Sequence, residues 1–225
     1  MVTILHKHFH CLRTTCIAAM GLVVAAYSSA AQISVAVKDQ GGQPIAEAVV
    51  YANITVGVAP ARPKREISVE QINKEFVPLI SVLQTGTMVN FPNRDAVRHH
   101  VYSFSPAKTF EIKLYSGVPG KPILFDKPGE VVLGCNIHDA MLAYLLVVDT
   151  PLFAKTDKRG VAILDGLSAG EYEVHFWYPG TAATANFVPQ KIKLSATQSA
   201  TLAFTLNLKP TSPSAPKPKS GNEIY

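Results

Sequence analysis

The stretch that decides the reading is Gly134-Cys135-Asn136-Ile137-His138-Asp139-Ala140-Met141. It sets a thiol, an imidazole and a thioether in the pattern Cys-x2-His-x2-Met. Apolar runs flank it at 130–135 and 142–149. Their length and the turn residues that bound them predict strands. The three side chains therefore belong to a tight loop at one end of a strand pair. A second feature lies upstream, Phe91-Pro92-Asn93-Arg94-Asp95-Ala96-Val97-Arg98-His99-His100-Val101. It brings His99 and His100 to the start of another apolar run. Adjacent strand residues face opposite sides, so one register offers His99 to the loop and the other offers His100.

These residue types match one chemistry well. A copper ion cycling between Cu(I) and Cu(II) prefers a soft thiolate, two imidazoles and a weak, distant thioether, one such ion per chain. Structural zinc prefers more Cys and His and seldom uses Met. Taken singly, Cys135 reads as a small buried hydrophobe, Met141 as core filler and His138 as a loop histidine. Their coincidence at ligand spacing is what points to a metal. The pattern needs no general base or nucleophilic hydroxyl, so the expectation is an electron carrier and not an enzyme.

Working outward, 16 Pro and 14 Gly punctuate short apolar runs in 225 residues. Apolar residues make up 48% and charged residues 16%, which excludes a disordered chain. The 21 Lys and Arg are dispersed, so no nucleic-acid partner is indicated. Strands are expected at 67–73, 79–84, 87–91, 100–104, 110–114, 130–135 and 142–149. Before them, Ile33, Val35 and Val37 alternate with Ser34 and Ala36. The turn Asp39-Gln40-Gly41-Gly42 then predicts a hairpin with the run from Ala48 to Tyr51. After Pro151, turns at 156–160 and 167–170 separate further strands, with candidates at 191–194 and 200–208. His175 reads as a structural or surface histidine beside Trp177 and Tyr178. The tail 209–225 is rich in Pro, Ser and Lys and cannot build a core.

Residues 1–31 read as a secretory signal, with cleavage expected after Ala30 or Ala31. Their apolar run, Cys16 to Ala26, is too short to span a bilayer, so no stable membrane span is expected. Lys7 and Arg13 leave with it and no acidic residue does, so the formal charge falls by two, from +5 to +3. Cys11 and Cys16 leave as well, so Cys135 is the lone thiol of a periplasmic or secreted protein. A lone thiol in an oxidising compartment is either buried and inert or held by a metal.

From about Ile67 to Asp149 the chain resembles a cupredoxin of the plastocyanin and amicyanin type. The residues that carry the resemblance are Phe76-Val77-Pro78, Gly86 to Asp95, His99-His100-Val101, Pro128-Gly129 and Cys135 to Met141. It implies a Greek-key β-sandwich and a type 1 copper site of His99, Cys135, His138 and Met141. Aligning on Val101 makes His99 the ligand, with His100 as the alternative. The family's usual Asn after the first ligand is replaced by His100, so bracing of the ligand loop falls to Asn93 or Asn136. The His138 edge, with Ile137 and Pro92, is the expected docking patch for redox partners such as a dehydrogenase or a cytochrome. Members labelled methylamine utilization proteins share this pattern.

The flanking segments, Ile33 to Val50 and Thr156 to Val174, resemble carboxypeptidase-regulatory-like, transthyretin-type sandwiches. The expected class is all-β. A cupredoxin domain at 67–149 is inserted in, or packed on, a second small β-sandwich made from 32–66 and 150–208. Two alternatives share the fold, namely a copper-binding or delivery protein without fast redox exchange and a metal-free binding module.

Overall fold

A computed structural model describes residues 31–58, 61, 66–138, 140–179 and 188–207. Residues 1–30 of the expected secretory signal and the tail 209–225 lie outside the described residues. All regular structure among the described residues is β, in chain order β1 (Ala31–Asp39), β2 (Val49–Val56), β3 (Ile67–Ser68), β4 (Glu70–Ile72), β5 (Glu75–Val77), β6 (Ile80–Gln84), β7 (Thr87–Asn90), β8 (His99–Ser105) and β9 (Lys108–Tyr115). There follow β10 (Ile123–Phe125), β11 (Gly129–Gly134), β12 (Leu142–Val148), β13 (Phe153–Lys155), β14 (Val161–Leu167), β15 (Gly170–Trp177), β16 (Gln190–Leu194) and β17 (Ser199–Leu206). No helix long and apolar enough to cross a membrane occurs among them.

The period-two pattern of β1 has the expected consequence. Ala31, Ile33, Val35 and Val37 are fully buried and the residues between them are not. Its partners differ from the expected hairpin. β1 pairs antiparallel with β14 and parallel with β17, while β2 belongs to a separate sheet, β13-β2-β15-β16. The turn after Asp39 does form, with the Gly42 amide donating to the Asp39 carbonyl at 3.0 Å. The return is a single bridge, Lys38 to Pro44. Proline has no amide to extend the ladder, so the chain leaves for the other sheet. Gly160 is required where β14 begins, because at φ 72° a Cβ would lie 2.5 Å from the Val37 carbonyl oxygen.

Two more sheets come from 67–148, β6-β12-β11-β8-β9 and β10-β7-β3, with a small β4-β5 pair beside them. The expected strand at 67–73 is divided. β3 pairs with β7 and β4 with β5, and Val69 between them is buried. Three apolar layers then separate the four larger sheets. The first joins β1, β14 and β17 to β2 and β15, with Ile33, Val50, Leu164, Tyr172 and Phe176. The second lies between β2, β15 and β12, with Val49, Tyr144, Leu146, Val148 and Trp177. The third fills 67–148 with Val89, Phe91, Phe125, Leu133 and Leu145.

Strand β12 explains the continuous apolar run seen in the sequence. Ala143, Leu145 and Val147 enter the third layer, and Tyr144, Leu146 and Val148 enter the second. A strand covered on both faces has no polar side to show. Polar contacts tie the same interface. The Trp177 indole donates to Glu130 at 2.9 Å, and the Lys155 ammonium donates to the Ile80 carbonyl at 3.1 Å.

Candidate metal centre

Strands β11 and β12 pair up to Gly134 and Leu142, which closes the loop that carries Cys135, His138 and Met141. The Met141 amide donates to the His138 carbonyl at 2.9 Å, so the loop's far limb is a tight turn. Cys135 is a free, buried thiol and Met141 is 1% exposed in the same apolar cluster. His99 enters from the start of β8 and is fully buried. Its ring centroid lies 5.0 Å from that of His138 at 59°. The ligand-capable atoms of His99, Cys135 and His138 all lie within 4.8 Å of one another.

The hydrogen bonds fix how His99 is presented. Its Nε2 lies 2.7 Å from Asp95 Oδ2. The Asp95 carboxylate also accepts the Asn73 amide at 2.7 Å and the Lys74 amide at 2.8 Å. Partial burial pushes the Asp95 carboxyl upward, but these donors and His99 outweigh it and hold it below the ordinary carboxylate range. An ionised carboxylate only accepts, so Nε2 is the donor in this pair and Nδ1 is the nitrogen turned to other partners. Nδ1 of His99 and Nδ1 of His138 are both buried with no hydrogen-bond partner. Two bare imidazole nitrogens beside a thiol are a donor set that fits a soft metal ion, and a carboxylate behind one ring is the usual support for such a ligand.

Asn93 braces this end of the sandwich. It is 4% exposed, and its side-chain amide donates to the carbonyls of Val97 at 2.8 Å and Tyr115 at 3.0 Å. Its Oδ1 accepts the Asp95 amide at 2.9 Å. The turn holding Asp95 is thereby tied to β9. Asn136 is exposed on the loop. His100 faces away from the cluster. Its Nε2 lies 2.8 Å from Glu111 of β9, and its ring packs on Tyr102. The geometry thus brings His99, not His100, to Cys135 and His138. Ile137 is exposed at 46%. Pro92 corrects the expectation for that rim. It is buried, and its carbonyl accepts the Gln71 amide at 2.9 Å, which pins it beneath β4.

Sequence reasoning passed over Asp95, Gln71 and Tyr115. Asp95 stands four residues before His99 in a Pro-Asn-x-Asp turn, which is the signal that was there to find. Gln71 is fully buried and donates to the Tyr115 hydroxyl, which itself donates to the Phe91 carbonyl at 2.6 Å. Burial pushes the Tyr115 phenol up to about 12, with the Gln71 bond opposing and the Cys135 charge adding to the rise. Tyr115 therefore stays a neutral donor.

No family model and no curated protein matches the chain. Among solved structures it is similar to the Cu-containing nitrite reductase (NirK) from Thermus scotoductus SA-01, at 24% identity over 43% of this chain and 25% of that one, TM-score 0.36. The chain thus spans a quarter of that protein. It is similar to a purple cupredoxin from Nitrosopumilus maritimus, at 21% identity over 34% of this chain and 84% of that one, TM-score 0.30. It is also similar to a reduced Cu(I) form of an amicyanin mutant, at 17% identity over 44% and 99%, TM-score 0.34.

Proposed function

We propose that this is an exported type 1 copper protein that carries single electrons between redox partners. One observation supports the reading above the others. One ligand-capable atom from each of His99, Cys135 and His138 lies within 4.8 Å of the others, and Nδ1 of each imidazole is buried with no hydrogen-bond partner. Copper, when bound, supplies a one-electron couple. Cys135 provides the thiolate and the electronic coupling, His99 and His138 provide imidazole nitrogen, and Met141 provides the weak thioether. Asp95 holds the His99 tautomer and Asn93 holds the turn that carries Asp95. Half-buried His138, beside exposed Ile137, offers the edge at which a redox partner docks. The residues from 67 to 149 form the copper-bearing unit, and the remaining strands form a supporting sandwich.

Copper reconstitution of the protein, followed by visible and electron-paramagnetic spectra, tests the reading. An intense thiolate-to-copper absorption that disappears in Cys135→Ser and shifts in Met141→Leu is the expected result. His99→Ala removes it and His100→Ala keeps it. A colourless protein that takes zinc as readily as copper overturns the proposal.

A further inference from the structure

One face of the sheet β13-β2-β15-β16 changes character along its length. Val49 and Trp177 stand in register and are buried against β12. Two residues further, Phe153, Tyr51 and His175 are in register across three strands and half-buried. The Tyr51 and His175 rings are stacked, with centroids 4.8 Å apart at 6°. The Asn53 amide nitrogen lies 3.5 Å from His175 Nε2. Beyond that row, Asn53, Glu173 and Lys191 are in register, and Glu171 pairs with Lys193 in the next. The register of β15 on β2 shifts between Glu171 and Tyr172, and such a bulge bends a strand. An open groove of about 340 Å³ lies there, with Thr55, Glu171, Glu173, Lys191 and Lys193 along it. Cross-strand ion pairs alone are ordinary on an exposed sheet. Here they line a hollow of ligand size beside a row of rings.

We propose that this groove binds a neutral saccharide, at a site separate from the metal centre. The charges argue for that class of ligand. Lys191 lies 3.2 Å from Glu173 and Lys193 lies 3.3 Å from Glu171, so the paired groups in the groove cancel. An ionic ligand would have to break one of these pairs to be neutralised. A sugar hydroxyl both donates and accepts, so it bonds to a carboxylate and an ammonium with the pairs intact. Thr55 Oγ1 donates to the Glu171 carbonyl at 3.1 Å and still accepts. At the other end, the row of Phe153, Tyr51 and His175 offers ring surface to the C–H face of a pyranose. An extended peptide would pair its main chain with a strand edge. The groove instead lies over strands already hydrogen-bonded to one another. All these groups except Thr55's neighbouring loop stand on strands, so the site is shaped before a ligand arrives.

The test titrates the full chain with maltohexaose, cellohexaose and chitohexaose, read by amide chemical shifts and by calorimetry. At least one of these sugars is expected to bind and to move the amides of Asn53, Thr55, Glu171, Glu173 and Lys191. Tyr51→Ala is expected to weaken that sugar about ten-fold. Because Tyr51 is half-buried, Glu173→Ala supplies a second variant, with binding about five-fold weaker and little change in melting temperature. Oligogalacturonate, a charged sugar, should bind at least about ten-fold more weakly than the neutral one, and added salt should leave neutral binding unaltered. No binding by any of the three neutral sugars, or shifts confined to other faces, overturns the site. Tighter binding of oligogalacturonate overturns the choice of a neutral ligand. None of these readouts depends on copper, so the groove and the metal centre stand or fall separately.

Discussion

In the sandwich of β1, β2 and β13–β17, buried Thr156 donates to the Ile45 carbonyl at 2.7 Å and accepts the Ala48 amide at 2.9 Å. Buried Thr150 donates to Ala52 at 2.7 Å and accepts Leu152 at 3.1 Å. In the sandwich of 67–148, Gln71 Oε1 and Nδ1 of His99, His100 and His138 are buried without a partner, and so is the Tyr144 hydroxyl between the two. Each such atom costs about 1–3 kcal/mol relative to a satisfied one. One region therefore spends its polar groups on its own cohesion. The other leaves several idle, and two of them belong to the imidazoles grouped with the Cys135 thiol. Buried atoms left idle in this way are where an ordered water or a bound ion is expected.

The contrast can be sharpened by deletion in each region. Leu145→Ala in the third layer and Leu164→Ala in the first each remove a fully enclosed side chain, and each is expected to cost about 2–5 kcal/mol. Chemical denaturation measures this. Because the second layer joins the two regions, both variants should shift one common transition. Two separate transitions would show that the regions unfold independently.

Asp95→Ala strikes the support of one donor and leaves all four proposed donors in place. Copper affinity is expected to fall about 10- to 100-fold, read by competition with a chelator. An unchanged affinity would mean that β8 alone orients His99. Trp177→Phe keeps the apolar bulk of the second layer but strands Glu130, and a loss of about 1–3 kcal/mol is expected in the same denaturation assay. If stability holds, the layer is apolar in its energetics despite the indole bond.

The smallest effect concerns His175, whose ring stacks on Tyr51 at 4.8 Å and 6°. Burial lowers its pKa, and the charge of Glu173 opposes this. The unfolded chain therefore binds the proton more readily than the folded one. Stability from this residue is full above the ordinary histidine pKa and is lost as pH falls through the lowered value. His175→Phe preserves a stacking ring without that liability. Its melting temperature should fall less between pH 7 and pH 5 than that of the parent chain, and parallel curves would remove His175 as the cause.

Much of this was legible in the residues, and the gaps have physical causes. The loop from Cys135 to Met141 and the strands on either side announce themselves by spacing and by apolar runs. β10 and β13 were not read, being three residues each and too short to show a period. The partners of β1 were misread because it pairs with strands more than a hundred residues away, and no local pattern encodes such a choice. His99 and His100 were inseparable by alternation alone. The β8–β9 register shifts between His99 and Val101, so the local irregularity falls on the very pair in question. Glu111, on the neighbouring strand, claims His100.

Strand β12 has hydrogen-bonded neighbours on both edges, β6 and β11, and side chains packed over both faces. Its amides should be among the last in the molecule to take up deuterium. The downstream foot of the Cys135 loop is therefore anchored on the slowest-opening element. Opening at this end of the sandwich is therefore expected first on the opposite shore, the turn at 92–98.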